Sequence, residues 1–163
     1  MSWSDRRSFL AGSAALLTSA CGFRPLYQQD GGAAALIGTI SLQEATDPIT
    51  FAARERLRRR LGDGGSGAPY ALLWLIDIQE TGVAITPTAD ITRYQLDATL
   101  QYRLVDQASN EVVEEGRVKT SGAYDATAEA FASRAAALDE RQRISIELAE
   151  LTATRLLASA SLE

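Results

Sequence analysis

The sequence predicts an α+β domain whose elements run strand, helix, three strands and a long helix. Three observations carry this expectation. Apolar and polar residues alternate from Ile91 to Val105, the period of two expected of a strand with one buried face. Asp47-Pro48 places a capping carboxylate directly before a proline at the first helical position. From about Ser133 to Ala160 a charged arc and an apolar arc recur with helical period, as in a helix laid across a sheet.

Taken in order, Ala35 to Gln43 is expected to be the first strand, with Leu36, Gly38, Ile40 and Leu42 alternating with Ile37, Thr39, Ser41 and Gln43. The helix opened by Asp47-Pro48 is expected to reach Leu61 and stop at Gly62, with Ala53, Leu57 and Leu61 inward and Phe51 at the margin. Gly62-Asp63-Gly64-Gly65-Ser66-Gly67 lacks the Lys-Ser/Thr of a phosphate loop and leads from helix to strand, the wrong direction for a phosphate cradle. Tyr70 to Glu80 is apolar on both faces, which suits a central strand covered on both sides at one end at least. Thr81 to Asp90 is polar enough for a connection. In the next strand Tyr94, Leu96, Ala98, Leu100, Tyr102 and Leu104 point to the core, and Arg93, Gln95, Asp97, Thr99, Gln101 and Arg103 point away. Asp106 to Asn110 is turn chemistry, and Val112 to Ser121 returns as the last strand of an antiparallel meander. Ala123 to Phe131 is expected to be irregular. In the final helix Asp139, Glu140, Arg143, Glu147, Glu150 and Thr154 form the solvent arc. Leu138, Ile144, Leu148, Ala149, Leu151, Thr152 and Leu156 are expected on its core side.

Ahead of this domain stands a different kind of segment. Residues 1–20 read as a cleaved export signal: Asp5-Arg6-Arg7 in the charged region, Phe9 to Leu17 apolar, and Thr18-Ser19-Ala20 small before the cut. The apolar run is far shorter than the roughly 20 residues that span a bilayer. Cys21, the only cysteine, follows at once. Its setting resembles the lipobox of bacterial lipoproteins, with Thr18 where leucine is usual. The resemblance implies an N-acyl diacylglyceryl lipid on Cys21 and no other cofactor, because a thiolate is the side chain nucleophilic enough to take the lipid. Gly22, rather than aspartate, follows it, which by the same resemblance favours an outer-membrane address. Arg6-Arg7-Ser8-Phe9-Leu10 fits a twin-arginine signal or a plain basic region equally. Residues 21–33 then form a lipidated anchor and a polar tether, and residues 34–163 a single domain.

Composition closes many routes to chemistry. Removal of residues 1–20 takes away Arg6, Arg7 and Asp5 and moves the net charge from −5 to −6, which argues against nucleic acid. There is no histidine, and with Cys21 acylated there is no free thiol, so the commonest bases, metal ligands and nucleophiles are missing. A carboxylate pair could still do acid–base work, and Asp77, Glu80, Asp90 and Asp97 are the candidates by proximity to the sheet, but they lie at ordinary surface or turn positions. No Asp-x-Asp-x-Asp-Gly loop offers an oxygen-ligand metal site. The expectation is a recognition domain with no catalytic residues and no metal. Arg54, Arg56, Arg58, Arg59 and Arg60 crowd seven residues of the first helix. They form either a solvated helix face or a patch for anions or a partner.

Cys21-Gly22-Phe23-Arg24-Pro25-Leu26-Tyr27 resembles the start of the lipopolysaccharide-assembly lipoproteins (LptE) of the alphaproteobacterial type. Further likeness lies in Arg93-Tyr94-Gln95-Leu96, in Tyr124-Asp125-Ala126-Thr127, in Ala132-Ser133-Arg134-Ala135 and Asp139-Glu140-Arg141, and in the order of elements. The resemblance implies a two-layer sandwich, an approximately four-stranded mixed sheet with two helices on one face. It implies a periplasm-facing outer-membrane lipoprotein that partners and plugs a large LptD-like β-barrel, assists its assembly and the insertion of lipopolysaccharide, and binds lipopolysaccharide. By position in the family pattern, Arg93 and Arg134 become the candidate lipopolysaccharide contacts. Arg54, Arg58 and Arg59 are added as anion candidates from composition. An auxiliary lipoprotein of another envelope lipid-transport complex is the alternative reading.

Overall fold

The computed structural model describes residues 32–85 and 91–160. Four strands form one open sheet in the order β1 (Ile40–Leu42), β2 (Tyr70–Ile85), β3 (Ile91–Asp106) and β4 (Val112–Asp125). Three α-helices, α1 (Gly32–Leu36), α2 (Pro48–Leu61) and α3 (Ala130–Ala160), and a short 3-10 turn at Gly65–Gly67 complete the described elements. β1 pairs parallel with Tyr70 to Leu72 of β2, whereas β2–β3 and β3–β4 are antiparallel, so the sheet is mixed. Leu57 and Leu61 of α2 and Ile144, Leu148 and Leu156 of α3 share one buried cluster with Leu72, Trp74, Leu96 and Leu100 of the strands. Both long helices therefore cover the same face, the two-layer sandwich expected.

Local chemistry sets the first crossover. Asp47 accepts the N–H groups of Ile49 (2.8 Å) and Thr50 (3.0 Å), while the Thr50 hydroxyl accepts the N–H of Asp47 (3.1 Å). This reciprocal cap, with Pro48 at the first turn, starts α2 where the sequence places it. Gly62, at φ 76°, ends it.

Five expectations are corrected. The first strand does not span Ala35 to Gln43: residues 32–36 are helical, and only Ile40 to Leu42 pair with β2. Gly32-Ala33-Ala34-Ala35-Leu36 has high helix propensity after its glycine, and Ala33 is fully buried in the core. Gly38 then turns the chain at φ 80°, its N–H donating to the Leu61 carbonyl at 2.7 Å.

The connection expected at Thr81 to Asp90 is also shorter, because β2 continues to Ile85 and β3 opens at Ile91. The last strand likewise runs beyond Ser121 to Asp125, and the last helix opens at Ala130. Backbone pairing between neighbouring strands does not require the side chains to alternate, so polar residues extend the sheet unseen.

The coverage expected for β2 is one-sided in the structure. Leu73 and Leu75 remain 41% and 65% exposed on the face away from the helices. Lastly, the arcs of α3 are shifted. Glu140, assigned to solvent, is 6% exposed, whereas Leu138 and Leu151 are exposed.

The cause is a notch in β4. Glu140 Oε1 lies over Gly122 and accepts the Ala123 N–H at 3.1 Å, and Arg143 holds the carboxylate by donating Nη2 to Oε1 at 2.5 Å and Nε to Oε2 at 2.9 Å. A Cβ at position 122 would collide with that carboxylate oxygen and crowd Ile144. Gly122→Ala is expected to expel the carboxylate from its backbone donor and lower unfolding stability by about 2–4 kcal/mol, the range for overpacking combined with a lost buried polar contact. Urea denaturation with an unchanged m-value checks it. Glu140→Ala should relieve the clash, so the double variant should lose less than the sum of the singles.

Candidate functional site

The far end of the sheet gathers the residues that the family-like motifs single out. Arg93, the third residue of β3, lies opposite Asp125, the last residue of β4, and its Nη1 donates to Asp125 Oδ1 at 3.0 Å. The side chain stays half exposed, at 51%. Next to it Tyr94 and Tyr124, also cross-strand partners, stack with ring centroids 5.2 Å apart and planes 13° from parallel.

The Tyr124 hydroxyl donates to Glu80 Oε1 at 2.8 Å, and Arg141 of α3 donates to Glu80 Oε2 at 2.6 Å. Burial pushes the Glu80 carboxyl upward, but the Arg141 and Tyr124 hydrogen bonds and the Arg141 charge outweigh it and hold the group below its ordinary value. Burial, then the neighbouring Glu80, pushes the Tyr124 hydroxyl up to about 12. Tyr124 is thus a neutral donor at physiological pH.

Between β4 and α3 the chain is pinned by Ser133, whose hydroxyl accepts the Thr127 N–H at 2.9 Å and donates to the Thr127 carbonyl at 3.0 Å. Arg134 follows in the first turns of α3, exposed and in no ion pair among the described residues. Arg93 and Arg134 therefore share one end of the domain. They differ in that Arg93 has a carboxylate partner to exchange and Arg134 has none.

The α2 arginines are placed elsewhere. Counted along β2 from Trp74, beside Gln43, to Ala84, opposite Arg93, the separation is about 33 Å at a strand's rise per residue. Arg54 donates to the Gln43 carbonyl at 3.2 Å and to Asp63 at 3.1 Å, with Glu44 at 3.5 Å. Arg58 bridges to Glu55, while Arg56 and Arg60 converge on Glu150 of α3. Most of this cluster is engaged in tying α2 to α3 and to its own flanking loops. Arg58 is about half exposed in its pair with Glu55, and Arg59 is exposed.

Among the four carboxylates considered for acid–base work, Asp77 accepts from the Gln79 amide, Asp97 from the Gln95 amide and Glu80 from Tyr124 and Arg141. Asp90 lies outside the described residues, as does Cys21. Among the described residues no group of carboxylates could hold a metal ion.

The second broad surface is the helix-free face of the sheet. Its cross-strand rows run Leu73–Arg103–Glu115, Leu75–Gln101–Arg117 and Asp77–Thr99–Lys119. Gln43, Leu73, Leu75, Gln101, Arg103 and Arg117 line a shallow concavity of about 690 Å³ there. Both signs of charge alternate over this face, with the two leucines at one edge. Such a face suits a wet partner surface better than a lipid one.

The Glu80–Tyr124–Arg141 cluster was not visible as a unit in the sequence. Its members are 44 and 61 positions from Glu80, and only the helix packed over the sheet end brings them together.

The model of the LptE lipopolysaccharide-assembly family matches residues 37–158. The chain belongs to that family. Its fold is shared with a candidate lipoprotein from Caulobacter crescentus CB15, whose crystal structure aligns with a TM-score of 0.65 at 22% identity, covering 81% of this chain and 98% of that one. Rare lipoprotein B from Shewanella oneidensis aligns with a TM-score of 0.56 at 16% identity, over 76% of this chain and 95% of that one. A minor lipoprotein from Acinetobacter baumannii aligns at 0.53 and 15% identity, over 74% and 89%. No curated protein matches the sequence. No helix among the described residues is long and apolar enough to cross a membrane.

The sheet-end cluster yields a pH prediction. Glu80 titrates below its unfolded value, so its contribution to stability is complete above the unfolded pKa and is lost as pH falls through the folded one. Arg141→Gln removes the counter-charge and leaves the burial, so the Glu80 pKa should rise. The variant should be less stable at pH 7 by about 1–3 kcal/mol, and the difference from wild type should begin to shrink as pH falls below the unfolded glutamate value of about 4.3 and vanish only below the lowered folded value, where the carboxylate is protonated in both states. Urea midpoints from pH 3 to 8 check it.

Proposed function

We propose that this chain is an outer-membrane lipoprotein, anchored through a lipid on Cys21, that partners and plugs the β-barrel inserting lipopolysaccharide into the outer leaflet. Family membership supports the assembly role. The observation that carries the plug reading is the helix-free sheet face, a broad surface of alternating charges and amides with no lipid-facing apolar band. A wide barrel has a polar, hydrated interior, and a domain with such a face can satisfy it through direct and water-bridged hydrogen bonds.

Arg93 and Arg134 are the proposed handles for lipopolysaccharide. The ligand presents phosphates or uronates, which guanidinium groups bind through paired charge-assisted hydrogen bonds. A net charge of −5 for the whole chain means that such binding has to be local, and the sheet end is where Arg134, in no ion pair among the described residues, and Arg93, bound only to an exposed aspartate, occupy the same end of the domain. The internal pairing of Arg54 and Arg58 favours the sheet end over α2 as the anion site.

Tagged full-length protein, purified from detergent-solubilised outer membrane, should carry a stoichiometric large β-barrel that survives high salt. Recovery of inner-membrane transporter subunits instead would replace this reading by that of an auxiliary subunit. The double charge reversal Arg93→Glu and Arg134→Glu should weaken lipopolysaccharide binding by at least about tenfold, the scale of one lost charge-assisted contact. Reversal of Arg58 and Arg59 should leave that binding within about twofold, a small fraction of such a contact. Binding to immobilised lipopolysaccharide at two salt concentrations measures both.

A further inference from the structure

The two edges of the sheet are built differently. β4 carries Glu114, Glu115, Arg117, Lys119 and Asp125 and two glycines, the composition by which edge strands resist pairing with other chains. β2 has no such guard along Leu73-Trp74-Leu75-Ile76-Asp77-Ile78, where Asp77 is the one charge. It is nevertheless an edge for most of its length, because β1 pairs only with Tyr70 to Leu72.

The direction of its free backbone groups follows from the bonds at its start. Tyr70 donates its N–H to Thr39, Leu72 accepts from Gln43, and Trp74 donates to the Gln43 side chain at 3.2 Å. Even-numbered residues of β2 therefore turn their backbone toward the β1 side, and odd-numbered ones bond to β3. By that alternation the N–H and C=O groups of Ile76, Ile78 and Glu80 face outward with no strand beside them among the described residues. The Gln43 carboxamide occupies the next place in the line of β1, where the chain turns away to α2. Ile76 and Ile78 are only half buried, and Leu73 and Leu75 are exposed on the other face. The edge ends at the irregularity between Gly82 and Ala84.

We propose that the β2 edge from Ile76 to Glu80 takes up an extended segment of another protein as a fifth strand, with apolar residues beside Ile76, Ile78 and Leu75 and a lysine or arginine beside Asp77. Main-chain hydrogen bonds supply the affinity in this mode, and alternate side chains supply the selection. Charge decides against a second copy of this chain. Residues 70–85 contain no lysine or arginine, so an antiparallel β2–β2 pairing sets Asp77 opposite Asp77, Leu75 or Gln79 and never opposite a cation. The proposal relies on the envelope-partner reading only for which protein supplies the strand.

Hydrogen exchange at residue resolution tests it, comparing full-length protein alone with the protein co-purified with its envelope partner. The Ile76, Ile78 and Glu80 amides should exchange readily in the free protein and at least about tenfold more slowly in the complex, a change set by local opening rather than global unfolding. Ile78→Pro removes an outward N–H without touching the β3 ladder, and Asp77→Lys reverses the selecting charge. Each should weaken the complex by at least about tenfold, equivalent to about 1.4 kcal/mol, and Asp77→Asn by less. If Ile78→Pro does not fold, Asp77→Lys and the exchange data decide.

Unchanged exchange in a complex with a barrel overturns the strand and leaves the barrel partner standing. A protected edge in a complex with some other envelope protein does the reverse. Protection already present in the free monomer assigns the edge to this chain's own residues, and protection that tracks a dimer in light scattering assigns it to a second copy. Either result overturns the proposal, as does the absence of any protein partner.

Discussion

The structure depends on how closely one helix can approach one strand. At 31 residues α3 is about 46 Å long, and the 14 to 16 residues of β2, β3 and β4 extend over about 50 Å. A helix of that length can bury one side along the whole sheet only if the strand beneath it leaves room. β4 does so at Gly122, under Glu140 and Ile144, and at Gly116, where a Cβ would run into the Tyr102 ring and hydroxyl. The second notch seats a phenol that donates to Glu114 at 3.1 Å, and Glu114 also receives the Ser159 hydroxyl from the end of α3. Burial, with the Glu114 charge behind it, pushes that tyrosine up to about 12, so it serves as a permanent donor. Two glycines thus let polar groups of the helix layer and the sheet meet as hydrogen-bonded pairs instead of as unsatisfied buried groups.

With α3 seated, the rest of the helix layer is fixed against it. Glu150 sits between Arg56 and Arg60 of α2 at 2.7 and 3.3 Å, and α1 tucks Ala33 beneath the same assembly. These ion pairs are half exposed and contribute modestly to stability. Their larger effect is on recognition, because arginines engaged with Glu150, Glu55, Asp63 and Glu44 are not offered to an external anion without breaking an existing pair. The helix layer spends its cations on itself. The sheet end, held by Glu80, Tyr124 and Arg141, keeps Arg93 and Arg134 outward.

What the sequence made legible is the part controlled by local chemistry or by one buried face. The reciprocal cap at Asp47 and Thr50 and the alternation of Leu96, Ala98, Leu100, Tyr102 and Leu104 needed no tertiary information. Glu140 was hidden because a buried glutamate is betrayed only by its partners, and those are the Ala123 N–H on another element and a glycine that is informative once its neighbour is known. Ala35 and Leu36 read as strand because alternation in a short alanine-rich stretch fits two periods equally well, and contact with α3 decides between them. Of the arginines, the α2 cluster drew notice by density, yet density correlated with internal pairing. Arg93 and Arg134 could be singled out only by family likeness, since neither lies in a charge-rich context.

The long axis of the sandwich adds a functional constraint. Gly32 abuts the Ala160 carbonyl at the C-terminal end of α3, while Arg134 lies near the opposite end, 26 helical residues away and so about 39 Å distant. Cys21 precedes Gly32 by 11 positions, a span of at most about 40 Å even when fully extended. With a lipid on Cys21, as proposed, the chain therefore enters the domain at the end away from the sheet-end arginines. A membrane surface near the α1 end leaves Arg93 and Arg134 facing away from the anchor, into the space beyond the domain. The polar sheet face runs the whole distance between the two ends. On the proposed reading, a partner covering that face therefore sets both the depth of the domain and the height of the arginines proposed to meet the ligand.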